Sequence, residues 1–237
     1  MKHLNQYKNE SFNFKSLTSY KTESFNFKSL PLYITEYIIK KKLDKPINSE
    51  DHYEYSPKTK DDLIKVIHML LDKGETNFNC IDTSKITDMS LVFGEMLKIH
   101  DKDFDVSEWD VSNVTNMEGL FANCVKFNCD LSKWDVSNVE NTSFMFHDCH
   151  KFNCDLSNWD VSNVTNMNYM FNECSIFDCD LSNWDVSKVT HMQHMFYRCY
   201  KFTGKGLENW NVSNVTHMND IFGKCTLLKN KPSWYKE

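Results

Sequence analysis

Carboxylates and thiols recur along this 237-residue chain at a fixed spacing, and they have the most chemistry to offer. Asp110, Asp135, Asp160 and Asp185 stand 25 residues apart, with Asp82 and Asn211 in the same phase. Asp105, Asp130, Asp155 and Asp180 form a second set. Two columns of carboxylates could act as general acid and base, or bind Ca²⁺ through their oxygens. They could equally accept a backbone N–H each in their own turns, and recur because the turn recurs. Catalysis requires one unique constellation, whereas a ladder supplies many equivalent ones. No catalytic residue is therefore expected, and the chain reads as non-enzymatic. A cation or a basic partner on the Asp110–Asp185 ladder stays open.

The nine cysteines follow the same period. Cys124, Cys149, Cys174, Cys199 and Cys225 share one phase, Cys129, Cys154 and Cys179 another, and Cys80 stands alone. Small thiols in register are expected to be free and buried, since unpaired Cys is among the most buried residue types. Disulfides or a metal are the alternatives, and the absence of any Cys-x-x-Cys pair weakens zinc. His147-Asp148-Cys149-His150 is the nearest approach to a metal cluster, but on a helix Cys149 would point away from the two histidines. His191 and His217 fall in the phase of Asn116 and read as substitutes for a turn-capping Asn. No phosphate loop or nucleophile motif appears, so no cofactor and no metal are expected.

The elements that must position these side chains are repeats. Trp109, Trp134, Trp159 and Trp184 are 25 residues apart, and Trp210 follows after 26. The matching Phe residues are Phe93, Phe121, Phe146, Phe171, Phe196 and Phe222; the first step is longer by three, which places an insertion near Leu97 to Lys102. Units this short cannot bury an apolar face alone, so they must stack into a solenoid. Within a unit, Leu156-x-x-Trp159-x-Val161 predicts a short strand with alternating burial. Val164 to Met167 turns the chain. Thr165 or Asn166 then caps a short helix carrying Met167, Met170, Phe171 and Cys174 on one face. The expected fold class is α/β: a solenoid of six coils of about 25 residues, each a short parallel strand plus a short helix, with a helical N-terminal cap.

Four segments follow. Residues 1–29 are polar, contain the octapeptide Glu10–Leu17 repeated verbatim at Glu23–Leu30, and read as weakly ordered. Residues 30–76 read as the helical cap. A first helix is predicted over Leu30 to Leu43. A second is capped either by Ser56 with Pro57 at its first position or by Thr59 with Asp62, and is stopped by Gly74. Residues 77–228 are the repeats, and 229–237 a tail in which Trp234 lays down a last partial strand.

A net charge of −6 disfavours nucleic acid as partner. No apolar run is long enough to insert in a membrane. The first ten residues carry no apolar stretch of the secretory kind, so an intracellular protein is expected.

The string Trp-Asp-Val-Ser-Asn-Val-Thr-x-Met, with Met-Phe-x-x-Cys and Phe-Asn-Cys-Asp-Leu-Ser, resembles the bacterial-surface-protein (BspA-like) type of leucine-rich repeat. That repeat is found in mycoplasma surface lipoproteins, in adhesins and in giant DNA viruses. The family usually has Gln where this chain has Cys129. The resemblance implies a leucine-rich-repeat-type solenoid and, for bacterial members, adhesion. The Lys-, Asn- and Ile-rich wording is closer to the viral branch, which would place the protein in host cytoplasm or virion. The function expected is recognition or scaffolding of an unknown protein partner. Positions that vary between repeats give the candidate partner-binding surface: Phe144, Tyr169 and His194 in one column, with Tyr197 and Tyr200 nearby. Alternatives are a structural virion component and a ubiquitin-ligase adaptor, since Leu30 to Asp44 loosely resembles the first helix of an F-box.

Overall fold

A computed structural model of the chain describes residues 53–236. The helix predicted over Leu30 to Leu43, the F-box-like stretch and the duplicated octapeptides lie outside the described residues. The second predicted helix forms as α1, Lys60–Asp72. Thr59, not Ser56, is its cap: the Thr59 hydroxyl accepts the Asp62 N–H and donates to the Asp62 carboxylate. Asp61 and Asp62 add negative charge to the first turn, where the orphan N–H groups concentrate. Leu63, Val66, Ile67 and Leu70 form the buried stripe. Gly74, at φ +85°, takes the left-handed turn past the helix end.

The repeats do not build the expected solenoid of six strand-and-helix coils behind a helical cap. Among the described residues α1 is the single α-helix, Leu207–Asn209 is a 3-10 turn, and no run of paired residues amounts to a strand. What exists instead is a chain of one-residue parallel bridges, Asp88 to Asn116 to Asn141 to Asn166 to His191 to His217. The destination of the backbone N–H groups explains this. In residues 167–174, Met170, Asn172 and Cys174 bond back three residues, to Met167, Tyr169 and Phe171. The alternate N–H groups of Met167, Tyr169, Phe171 and Glu173 leave the repeat and reach the carbonyls of His191, Gln193, Met195 and Tyr197. Half of the donors are thus unavailable to a helix, and half to a sheet. Tyr169 and Glu173, at φ +57° and +64°, reverse the backbone sense every fourth residue, which no α-helix tolerates. The predicted strand fails likewise: Trp159 N–H bonds to Leu156 and Val164 N–H to Val161, so the chain turns at both ends of the segment.

Neighbouring repeats nevertheless pack in register through their side chains. Trp109, Trp134, Trp159, Trp184 and Trp210 are all buried, and each donates its indole N–H to a backbone carbonyl of the preceding repeat. Trp234 continues the column over Trp210, rings 6.2 Å apart, with its N–H on Leu207. Phe93, Phe121, Phe146, Phe171, Phe196 and Phe222 stack with successive centroids 5.6 to 5.9 Å apart. One apolar cluster runs from Leu63 in α1 to Phe222. No helix among the described residues is long and apolar enough to cross a membrane.

Candidate recognition surface

Residues that vary between repeats gather on the face formed by the alternating turns. Phe144, Tyr169 and His194 occupy equivalent positions and stack as half-buried rings. Phe144 lies 4.6 Å from Tyr169 at 6°, and Tyr169 lies 4.8 Å from His194. All three adopt left-handed backbone, φ +53° to +57°. So do Leu91, Gly119 and Asp220 at the same step of other repeats, which makes the conformation a demand of the repeat rather than of the aromatics. Tyr197 meets His194 edge to face at 5.4 Å, Arg198 lies over the Tyr197 ring at 5.3 Å, and Tyr200 is 41% exposed beyond them. Burial pushes the Tyr169 phenol above its ordinary range.

A polar group borders this column: His147, Asp148 and His150, weighed in the sequence only as a metal cluster, join Glu173 and Arg198, which were not singled out. Arg198 pairs with Glu173 at 2.8 Å. His150 Nδ1 lies 2.9 Å from the Glu173 carbonyl, and its Nε2 lies 3.1 Å from Asp148. Both ring nitrogens thus lie against oxygens, the Glu173 carbonyl on one side and the Asp148 carboxylate on the other. His147 packs its ring edgewise on Phe144, with a buried Nδ1 that lacks a partner. Burial holds the His147 imidazole below its ordinary range and raises the Asp148 carboxyl. Variation between repeats at the step of Asn123, Asp148, Glu173, Arg198 and Lys224 was the signal that could have located this group.

The acidic columns lie in turns. Asp110, Asp135, Asp160 and Asp185 are exposed, and each accepts the N–H of the Ser two residues on at 2.9 to 3.1 Å. The side-chain and backbone bonds from Ser162 and Ser187 hold Asp160 and Asp185 below the usual carboxylate range. Asp105, Asp130, Asp155 and Asp180 cap Ser107, Ser132, Ser157 and Ser182 in the same way. No three His, Cys, Asp or Glu side chains among the described residues converge as metal ligands. His191 and His217 do not replace the capping Asn. They stack on each other at 4.4 Å and face Thr190 and Thr216, while Gln193 N–H turns to Asn168.

All nine cysteines are free. Cys149, Cys174, Cys199 and Cys225 direct their thiols to the carbonyls of Phe121, Phe146, Phe171 and Phe196 in the preceding repeat. Cys129, Cys154 and Cys179 accept the N–H groups of Val106, Leu131 and Leu156. Each sulfur thus satisfies a backbone group that a purely apolar side chain would leave unpaired. Burial pushes the thiols of Cys129 and Cys225 up to about 12 and that of Cys179 to about 11, so they stay protonated and unreactive.

These features define a repeat protein whose units join through shared side-chain columns and single backbone bridges. The family model described as "Mycoplasma protein of unknown function, DUF285" matches it over residues 65–174 and 145–235, well over half of the chain. The chain belongs to that family. No curated protein and no solved structure matches it.

Proposed function

We propose that this is a non-enzymatic recognition or scaffold protein that engages a protein partner through the face bearing Phe144, Tyr169, His194, Tyr197 and Tyr200. One observation carries the reading: aromatic rings stack in register at a position that differs between repeats, while the Trp, Phe and Ser positions hardly change. Side chains shared by every repeat serve the stack, and those that differ are free to serve specificity. Aromatic side chains with Arg at their border are the composition favoured in binding hot spots. Within its family we relate the chain to the BspA-like repeats and, by wording, to their giant-virus members. An intracellular setting is supported by nine unpaired thiols, which a secreted protein would be expected to bridge.

The test is site-specific photocrosslinking in native cells, with a crosslinking residue placed at Tyr200 or, as comparison, at Asp135. A discrete adduct from Tyr200 and none from Asp135 is expected. Tyr197→Ala with Tyr200→Ala should weaken the captured partner about 30-fold or more without changing the melting temperature. Equal capture from both positions would reject this face as the recognition surface.

A further inference from the structure

One column of turn residues changes its chemistry along the stack. Asn116, Asn141 and Asn166 each accept the N–H of the residue two positions on, at 3.0 to 3.1 Å, and so close their own turns. The next two rungs are His191 and His217, joined to the column by the same single backbone bridges. His191 gives up the turn bond, since the Gln193 N–H goes to Asn168 of the preceding repeat. The turn therefore does not explain why imidazoles stand here. The two rings are stacked, with centroids 4.4 Å apart and planes within 6°. His191 is half-buried and His217 exposed.

Comparison between repeats fixes their tautomer. Thr115 and Thr165, each followed by Asn, donate their hydroxyls to the carbonyls of Thr87 and Glu140 at 3.3 and 3.2 Å. Thr190 and Thr216 donate in the same way to the carbonyls of Thr165 and Thr190 at 3.1 and 3.2 Å. With that proton committed, the Thr190 oxygen, 2.7 Å from His191 Nδ1, can only accept, and so can the Thr216 oxygen, 2.8 Å from His217 Nδ1. Each Nδ1 carries the hydrogen, and each neutral ring presents its lone pair at Nε2. Neither Nε2 has a protein partner among the described residues, and neither is a buried orphan, so both reach solvent. Because the rings are parallel and held by equivalent threonines, the two lone pairs stand side by side.

We propose that His191 and His217 form a binding site for a divalent transition-metal ion of the zinc or nickel class, held by the two Nε2 atoms with its other positions open to water. Imidazole nitrogen selects such ions over Mg²⁺ and Ca²⁺, which take oxygen ligands. The Thr oxygen on each Nδ1–H is the outer contact that a metal-binding histidine requires, because it sets tautomer and ring orientation before the ion arrives. A tetrahedral ion about 2.0–2.1 Å from each nitrogen needs them about 3.3 Å apart, so rings 4.4 Å apart must tip together by about 1 Å at Nε2. Solvent-facing rings with one side-chain hydrogen bond each can make that movement. The histidines of the polar group beside Phe144 lack this arrangement: His147 keeps its free nitrogen buried, and His150 has both nitrogens against oxygens. The site uses the solvent-facing ring edges and does not depend on the recognition reading.

The experiment is titration of the full chain with Zn²⁺, followed by NMR of the histidine side-chain nitrogens and by calorimetry for stoichiometry. His191→Asn and His217→Asn are the informative variants, because Asn is what the fold carries at the three preceding rungs, so both should fold. One ion per chain is expected, with the Nε2 signals of His191 and His217 shifting together. Either variant should weaken binding about tenfold or more, since each removes one of two ligands acting as a pair. Three results overturn the proposal. Binding that both variants retain would place the ion elsewhere, on the cysteines first of all. Weakening in one variant alone would leave a single surface histidine and no pair. Unshifted Nε2 signals at millimolar Zn²⁺ would mean that the stacked rings do not close on an ion.

Discussion

Trp159 shows how one side chain ties two repeats together. Its ring is 2% exposed and its N–H is held by Leu131 at 3.0 Å. Trp159→Ala should cost about 3–5 kcal/mol, read as a shift in the denaturant midpoint, because it leaves a cavity and an unpaired buried carbonyl. Thr142 stands where Met117, Met167 and Met192 stand in other repeats. It is buried, with its hydroxyl on the Asn166 carbonyl, which the Thr142 N–H also reaches. Thr142→Met restores the apolar column and leaves that carbonyl its backbone donor. A gain of about 1 kcal/mol in thermal melting is expected. His147 supplies the pH dependence. Burial depresses its folded-state pKa, so the unfolded chain binds the proton more readily. Its stabilising contribution is present above about pH 6.5 and is lost as pH falls through the lower folded value. His147→Gln should therefore flatten the fall in urea midpoint between about pH 7 and pH 5.

The separate elements are held by local backbone chemistry. Thr59→Ala removes the cap of α1 and should cost about 1 kcal/mol, with little effect far from the helix. Gly206 is more demanding. It sits at φ +83° where Trp210 follows Trp184 by 26 residues, and an added Cβ would come within 2.2 Å of the Ser182 nitrogen. Neither the backbone angle nor the neighbouring repeat can give way, so Gly206→Ala should cost about 3 kcal/mol. An unchanged melting temperature in that variant would mean that the 3-10 turn at Leu207–Asn209 can shift to make room.

Across the whole molecule, one continuous core makes the thiols a global probe. Cys124, Cys149, Cys174 and Cys199 are fully buried, with no disulfide anywhere in the chain. A thiol reagent should count nine groups in denaturant without reductant, and far fewer in the native protein. Those four should react only at the rate of global opening. A count well below nine in denaturant would show that bridges form and would remove the argument for an intracellular setting.

The period of about 25 residues, the identity of the Trp, Phe, Met and Cys columns, and the role of Gly74 in ending α1 were legible in the sequence, whereas the cap stayed open between Ser56 and Thr59 until the structure chose Thr59. They are one-dimensional signals: spacing reports which side chains share a buried column, and capping residues report where a helix begins and ends. The candidate column of Phe144, Tyr169 and His194 was legible for the same reason, because comparing repeats separates shared from variable positions. Tertiary structure alone decided where the backbone hydrogen bonds go. Apolar spacing at Met167, Met170, Phe171 and Cys174 is the same for a helical face and for successive three-residue turns. Only the stacking of the neighbouring repeat draws off the N–H groups of Tyr169, Phe171 and Glu173 and forces left-handed backbone at two of those residues. The contact of His150 with the Glu173 carbonyl arises from that same register between repeats, which no single repeat contains.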